Sequence, residues 1–305
     1  MNYLLNKKVL LIAACCLILS SCGPDHSSTK KNGSNITPSQ SSEVIPPVQK
    51  ELETDQSNEG ALNRENAPSS TGGAEQQVST PAAPVIPEYK YHINKVYRVV
   101  PNTEGIEKKV VLLTFDDGPK EKAMLEGMLD TLEKHEAKAI FFVNGYRVKS
   151  NPDLLKLIHD RGQIIGNHSW DHIDLKKESA DTARKQVEDV QQIVEEIIGE
   201  SPRFFRPPFG SGNDTLHGIV EENDMIYMTW SNGSLDWDTK FKNKPDGIIK
   251  NVMEQLHPGS NILMHELPWT AEALDELLTR IKAEGYGFVD PHTISVQSEH
   301  SADSK

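Results

Sequence analysis

Between residues 110 and 289 the chain alternates two kinds of hydrophobic pattern. Short runs are apolar at nearly every position: VVLLTF (Val110–Phe115), AIFFVN (Ala139–Asn144), IIGNHS around Ile164, FFRPP from Phe204, MIYMTWS from Met225, NILMHE (Asn261–Glu266) and YGFVD, which closes the series near Val289. Between them apolar residues recur every three or four positions, as Met124, Leu125, Met128, Leu129 and Leu132 do in EKAMLEGMLDTLEKH. Continuous short runs predict strands buried on both faces, and the longer period predicts helices with one apolar stripe. Further helices are expected in NPDLLKLIHDRG, over about Ala180–Ile198, near Leu216–Glu222 and in WTAEALDELLTRIKAEG.

Strands apolar throughout and separated by helices predict an α/β fold with a parallel sheet covered on both sides. About seven such units suit a closed or nearly closed (β/α) barrel, with an open doubly wound sheet as the alternative. Either fold places its chemistry at the carboxyl ends of the strands.

The first third of the chain lacks this rhythm. Lys7 and Lys8, the run VLLIAACCLIL and then LSSC form the three-part layout of a secretory signal over residues 1–21. The LSSC ending resembles the lipobox of bacterial lipoproteins, whose cysteine is lipidated, so Cys22 is the expected anchor; an ordinary signal peptide is the alternative. Cys15 and Cys16 fall inside the signal, which leaves no thiol for a disulfide, a nucleophile or a metal in the folded part. Residues 22–86 are rich in Ser, Thr, Pro, Asn, Gln and Glu and are expected to form a flexible tether. YKYHINKVYRVV, within 87–109, reads as an extended or hairpin-like entry to the domain at 110–295, and 296–305 as a disordered tail.

A net charge of −13, more negative once Lys7 and Lys8 are lost, argues against a nucleic-acid partner.

Titratable residues recur where the strands end. Asp116 and Asp117 follow the first, His168 the third, Arg206 the fourth; Asp236 and Trp237 lie beyond the fifth, and His265 ends the sixth. Asp-Gly-Pro at 117–119 is also ordinary turn chemistry, and a lone HxxxH is weak, but together they gain weight. His168 and His172, four apart, would point the same way on a helical turn. Two imidazoles and one carboxylate suit Zn²⁺ or a similar metal with positions left for water and substrate. Ligation removes a carboxylate's basicity, so one aspartate can bind metal while the other accepts a proton. Neighbouring strand residues point apart, so the turn at Gly118 and Pro119 is expected to bring both to one site. His265 suits a general acid, or else a third ligand or a core histidine. Arg206 is placed to hold and orient a free carboxylate, unless it is a surface cation before a turn.

Taken in order, TFDDG (114–118), HSWDH (168–172), RPPFG (206–210), LDW (235–237) and LMH (263–265) resemble the polysaccharide deacetylases with a NodB homology domain, carbohydrate esterase family 4. The resemblance covers about Val110 to Val289. It implies a distorted (β/α) barrel, Asp116 as general base, and Asp117, His168 and His172 as metal ligands. It also implies His265 as general acid, Arg206 and Asp236 as residues that position and tune these groups, and Trp237 and Leu263 lining a pocket for the acetyl methyl. A backbone N–H near Phe209, together with the metal, would stabilise the oxyanion. The fourth motif departs from the family pattern: WSNGSLDW carries Gly233 where an acidic residue is usual, and Asn232 where an apolar one is. Phe209 stands where tyrosine is more common.

The expected function is metal-dependent deacetylation of cell-wall polysaccharide, foremost N-acetylglucosamine of peptidoglycan. Zinc is the expected metal, with cobalt or nickel suiting the same ligands. The expected protein is a monomer, extracytoplasmic, anchored to the membrane through Cys22 and facing the wall. Alternative substrates are chitin-like oligomers, an exopolysaccharide or a muramic acid site. A structural wall-binding lipoprotein with little or no turnover is the alternative of a different class.

Overall fold

The structure is a computed structural model that describes residues 88–295. The expected signal, tether and tail, and Cys22 with them, lie outside the described residues. The entry segment is a hairpin, β1 (Tyr91–Ile93) pairing antiparallel with β2 (Val99–Pro101). It is tied to the far end of the domain, where Ser295 N donates to Tyr91 O at 2.8 Å.

The remaining strands are β3 (Val110–Gly118), β4 (Ala139–Val143), β5 (Ile164–Asn167), β6 (Phe204–Phe205), β7 (Ile226–Tyr227), β8 (Asn232–Gly233), β9 (Ser260–His265) and β10 (Gly287–Phe288). They form one parallel sheet in the order β7-β6-β5-β4-β3-β9-β8, with β10 beside the first residues of β3.

Alternation along β3 and β4 explains why both runs are apolar throughout. Val111, Leu113, Phe115 and Phe141 pack outward with helix residues such as Leu125, Met128, Ile248 and Leu277, while Leu112, Ile140 and Phe142 join Phe204 and Met228 on the inner face. Thr114 and Asp116 continue the inner row of Leu112. The sheet is strongly curled. In a flat sheet β6 and β9 would be four strand spacings apart, about 19 Å, yet Arg206, just after β6, donates to Asn261 of β9 at 3.2 Å. The described residues thus form a distorted α/β half-barrel of seven successive parallel strands with β10 as an eighth beside β3, in keeping with the expected distorted (β/α) barrel of about seven strands.

The helices are α1 (Lys122–Lys134), α2 (Gly145–Ser150), α3 (Pro152–Asp160), α4 (Ala180–Ile198), α5 (Asp214–Glu222), α6 (Pro245–Glu254) and α7 (Pro268–Ala283). The ends of α4 are written in its sequence: Ser179 caps it by accepting from Thr182 N, and Gly199 ends it with φ 80°. Two helices have no counterpart among the sequence expectations, α2 and α6. The second follows the polar stretch KFKNK and buries only Ile248, Ile249 and Val252, so its apolar stripe is short.

Candidate active site

The two adjacent carboxylates reach one site by a different device from the turn expected at Gly118 and Pro119. Strand β3 continues to Gly118, and its pairing with β4 shifts register between Asp116 and Gly118. Asp117 itself is left-handed, with φ 66°, a conformation costing about 1–2 kcal/mol for a residue with a Cβ. This bulge cancels the alternation that would have pointed Asp117 away. A Cβ at Gly118 would fall 1.8 Å from Glu266 Oε1, so a larger residue there would have to push that buried carboxyl aside.

His168 follows β5, and the segment that carries it to His172 is a loop, not the helical turn expected. Ser169 and His172 both have positive φ, 64° and 55°, and Asn144 Nδ2 holds the loop by donating to His168 O at 2.8 Å. The two imidazoles meet edge to face with centroids 5.0 Å apart. His168 Nδ1 donates to Arg206 O at 2.7 Å; a carbonyl only accepts, so the proton sits on Nδ1 and Nε2 offers its lone pair to the site.

Asp117 Oδ1 lies 3.5 Å from His168 Nε2 and 3.3 Å from His172 Nε2, and the three donor atoms fall within 4.8 Å of one another. Tetrahedral ligands at zinc–nitrogen distances would stand about 3.3 Å apart. Asp117 Oδ1 is buried and has no hydrogen-bond partner among the described residues, which is costly unless a cation meets it. The triad therefore fits a divalent metal. Burial by itself would raise the Asp117 carboxyl, but His168, His265, Lys120 and His172 outweigh it and hold it below the usual range. Burial keeps His168 below its ordinary value, in the neutral form a ligand requires.

Arg206 is fully buried. Its Nη1 donates to Asp116 Oδ1 and to Thr114 Oγ1, each at 2.7 Å, and its Nη2 to Thr229 O at 2.8 Å and Asn261 Oδ1. The guanidinium lies over the Phe142 ring, 4.3 Å from its centroid. Sequence reasoning gave Thr229 and Asn261 no role; Asn261, the polar residue that opens the run before Ile262, Leu263 and Met264, was the available signal.

Across the site, Asp236 is fully buried and holds His265 twice: Oδ1 accepts from His265 Nδ1 and Oδ2 from His265 N, both at 2.7 Å. Thr270 Oγ1 donates to Oδ2 as well, and Trp269 Nε1 to Asp236 O. Burial lowers the His265 pKa, but the bond to Asp236 and the surrounding carboxylates raise it further, to a net value above the ordinary one. Asp116 and His265 are register partners on adjacent strands, so the two groups stand side by side at the mouth.

A cavity of about 400 Å³ opens here, lined by Asp116, Asp117, His168, His172, Phe209, Trp237, Leu263 and His265. Every residue expected to touch substrate or metal lines it, and Arg206 and Asp236 stand behind as supports. Trp230 and Pro207 also line it and were not singled out by sequence. Phe209 and Trp237 are 66% and 44% exposed and form an aromatic rim.

Residues 104–228 match the family model described as polysaccharide deacetylase. The chain is 39% identical over 183 residues to the peptidoglycan-N-acetylglucosamine deacetylase PgdA of Listeria monocytogenes, covering 59% of this chain and 38% of that protein. It is 35% identical to the peptidoglycan-N-acetylmuramic acid deacetylase PdaA of Bacillus subtilis, covering 60% of this chain and 70% of the relative. Among solved structures, a CE4 family pseudoenzyme from Bacillus anthracis superposes with TM-score 0.57 at 34% identity, over 62% of this chain and 67% of that one. With the site assembled on the matching fold, the chain belongs to the polysaccharide deacetylase family, hydrolases that act on a C–N bond.

Proposed function

We propose that this chain removes N-acetyl groups from N-acetylglucosamine residues of peptidoglycan. The observation that carries this reading is the pairing of Asp116, oriented by buried Arg206, with its register neighbour His265, oriented by buried Asp236, beside the Asp117, His168 and His172 triad. The metal is proposed to be zinc, with cobalt and nickel also suited to the ligand set. When bound, it would polarise the acyl carbonyl and the attacking water.

The protein groups supply the proton transfers. Asp116, not needed as a ligand, accepts a proton from water as its oxygen bonds to the carbonyl carbon. A backbone N–H beside Phe209 donates to the oxyanion that develops. As the C–N bond breaks, His265 gives its proton to the departing nitrogen, leaving acetate and a free amine. Leu263, Trp237 and Trp230 receive the acetyl methyl, and the exposed faces of Phe209 and Trp237 meet the sugar chain.

The substrate rests on relatives named for peptidoglycan and on the signal and tether expected from sequence. N-acetylmuramic acid, chitin-like oligomers and exopolysaccharide are the competing substrates. The location we propose is extracytoplasmic, with a monomer anchored through lipid on Cys22. A wall-binding lipoprotein without turnover is the second reading, favoured by the pseudoenzyme among the structural relatives. The complete set of acid, base and ligand groups favours turnover.

The test is acetate release by the purified chain from peptidoglycan and from N-acetylglucosamine oligomers, with muropeptides analysed by mass for the sugar that lost its acetyl group. Loss from glucosamine supports the proposal. Loss from muramic acid alone, or no release with metal bound, overturns it. In the cell, a deletion strain should change in lysozyme sensitivity, and unchanged sensitivity would contradict the wall role.

A further inference from the structure

Strand β9 ends on His265, and the next residue, Glu266, reaches toward the tip of β3. Its backbone N donates to Asp116 O at 3.3 Å, and its Oε2 accepts from Lys120 N at 3.0 Å. Between these two attachments its Oε1 fills the space beside Gly118, where a Cβ would stand only 1.8 Å away. Glu266 is thus fastened to both ends of the segment 116–120, and Asp117, the carboxylate of the triad, lies inside that segment. The same segment is also held from the end of β4, where Asn144 N donates to Gly118 O at 3.0 Å.

Asp117 needs such a hold. Its left-handed backbone, φ 66°, persists only where the surroundings over-determine it. Its Oδ1 is the oxygen that faces His168 Nε2 and His172 Nε2, while its Oδ2 lies 3.9 Å from Lys120 Nζ. Fixing Lys120 N therefore also places the ammonium that meets the second oxygen, and leaves the first one for a metal. Packing does not account for a carboxyl at 266: the side chain is buried, and Oε1 has no hydrogen-bond partner among the described residues, an arrangement that costs free energy.

We propose that Glu266 is a positioning residue for the metal centre: its carboxyl holds residues 118–120 so that Asp117 Oδ1 stays aimed at the two histidines. The proposal rests on the metal reading of Asp117, His168 and His172. Losing a residue that supports a ligand typically lowers metal affinity by about 10–100-fold. The feature of the carboxyl that matters is an oxygen within reach of Lys120 N. Glutamine keeps that oxygen. Aspartate keeps the charge but is one methylene too short, and leucine keeps the bulk without an acceptor.

The experiment measures the zinc affinity of the full chain, by competition with a chromophoric chelator, for the wild type, Glu266→Gln, Glu266→Asp and Glu266→Leu. Thermal melts by circular dichroism are recorded on the same proteins. Glu266→Asp and Glu266→Leu are expected to bind zinc about 10–100-fold more weakly, and Glu266→Gln within about threefold of the wild type. A residue with only a structural role would shift the melting temperature and leave the affinity of the folded protein alone. If Glu266→Leu does not fold, Glu266→Asp and Glu266→Gln still decide. Wild-type affinity in folded Glu266→Asp or Glu266→Leu, or a loss in Glu266→Gln as large as in Glu266→Asp, overturns the proposal and leaves the triad standing as the metal site. A wild type that binds no zinc overturns the metal reading, and this proposal with it.

Discussion

Arg206 Nη1 meets Asp116 Oδ1 at 2.7 Å with both side chains shut away from solvent, 0% and 3% exposed. A buried charge pair of this kind is costly to break and specific in geometry. Arg206→Lys keeps the charge but cannot span Thr114, Asp116, Thr229 O and Asn261. We expect kcat/KM to fall about 100-fold, while zinc content measured by elemental analysis stays near one per chain, because Arg206 reaches the triad only through its backbone carbonyl. Arg206→Met strands Asp116 and should destabilise the domain by about 3–5 kcal/mol in denaturant titration.

The triad should behave as a unit. Asp117→Asn or His168→Ala is expected to lower zinc affinity, measured by competition with a chromophoric chelator, by more than the roughly 10–100-fold typical of losing a supporting residue. Equal affinity in wild type and both variants would remove these residues from the metal site.

His265 gives the pH dependence its sign. As general acid it must be protonated, so kcat/KM is present below its pKa and lost as pH rises through it. Burial lowers that pKa and Asp236 more than restores it, placing it above the ordinary histidine value. Asp236→Asn removes the raising partner, so the alkaline limb of the pH–rate profile should move to lower pH. A limb that stays in place would assign it to another group.

Glu266 was quoted in its strand but given no role by sequence reasoning. It is 1% exposed and accepts from Lys120 N at 3.0 Å, and burial pushes its carboxyl up from 4.5 to about 7. The raised value means the native state favours the protonated acid. Its contribution is therefore complete below about pH 4.5 and is lost as pH rises through about 7, a change on the order of 3 kcal/mol. Glu266→Gln should abolish that loss, making the variant more stable than wild type at pH 8 and similar at pH 4.5 by chemical denaturation. A variant less stable at pH 8 would contradict this.

What the sequence revealed and what it hid have separate physical causes. Val110–Phe115 and Ala139–Asn144 were legible because strands buried on both faces must be apolar at each position, and α4 because a long stripe and both caps are encoded locally. Strands β7 and β8 are two residues each, too short for any period, and their place is set by pairing with β6 and β9. The site residues were found because strand ends collect them. Their local geometry was not: left-handed backbone at Asp117, Ser169 and His172 is imposed by the assembled site, and the residue types at those positions announce it weakly at best. Glycine would have signalled such a conformation strongly; aspartate and histidine do so only weakly, and serine does not.

Acetate release from N-acetylglucosamine oligomers and peptidoglycan shows whether Asp116 serves as the base beside a metal triad. The comparison is between the zinc-loaded chain, the chain treated with chelator, and zinc-loaded Asp116→Asn. Release is expected from the first, and loss of at least about 100-fold in the other two, with Asp116→Asn still binding zinc. Release by zinc-loaded Asp116→Asn at the wild-type rate, or release indifferent to chelator, would contradict that role.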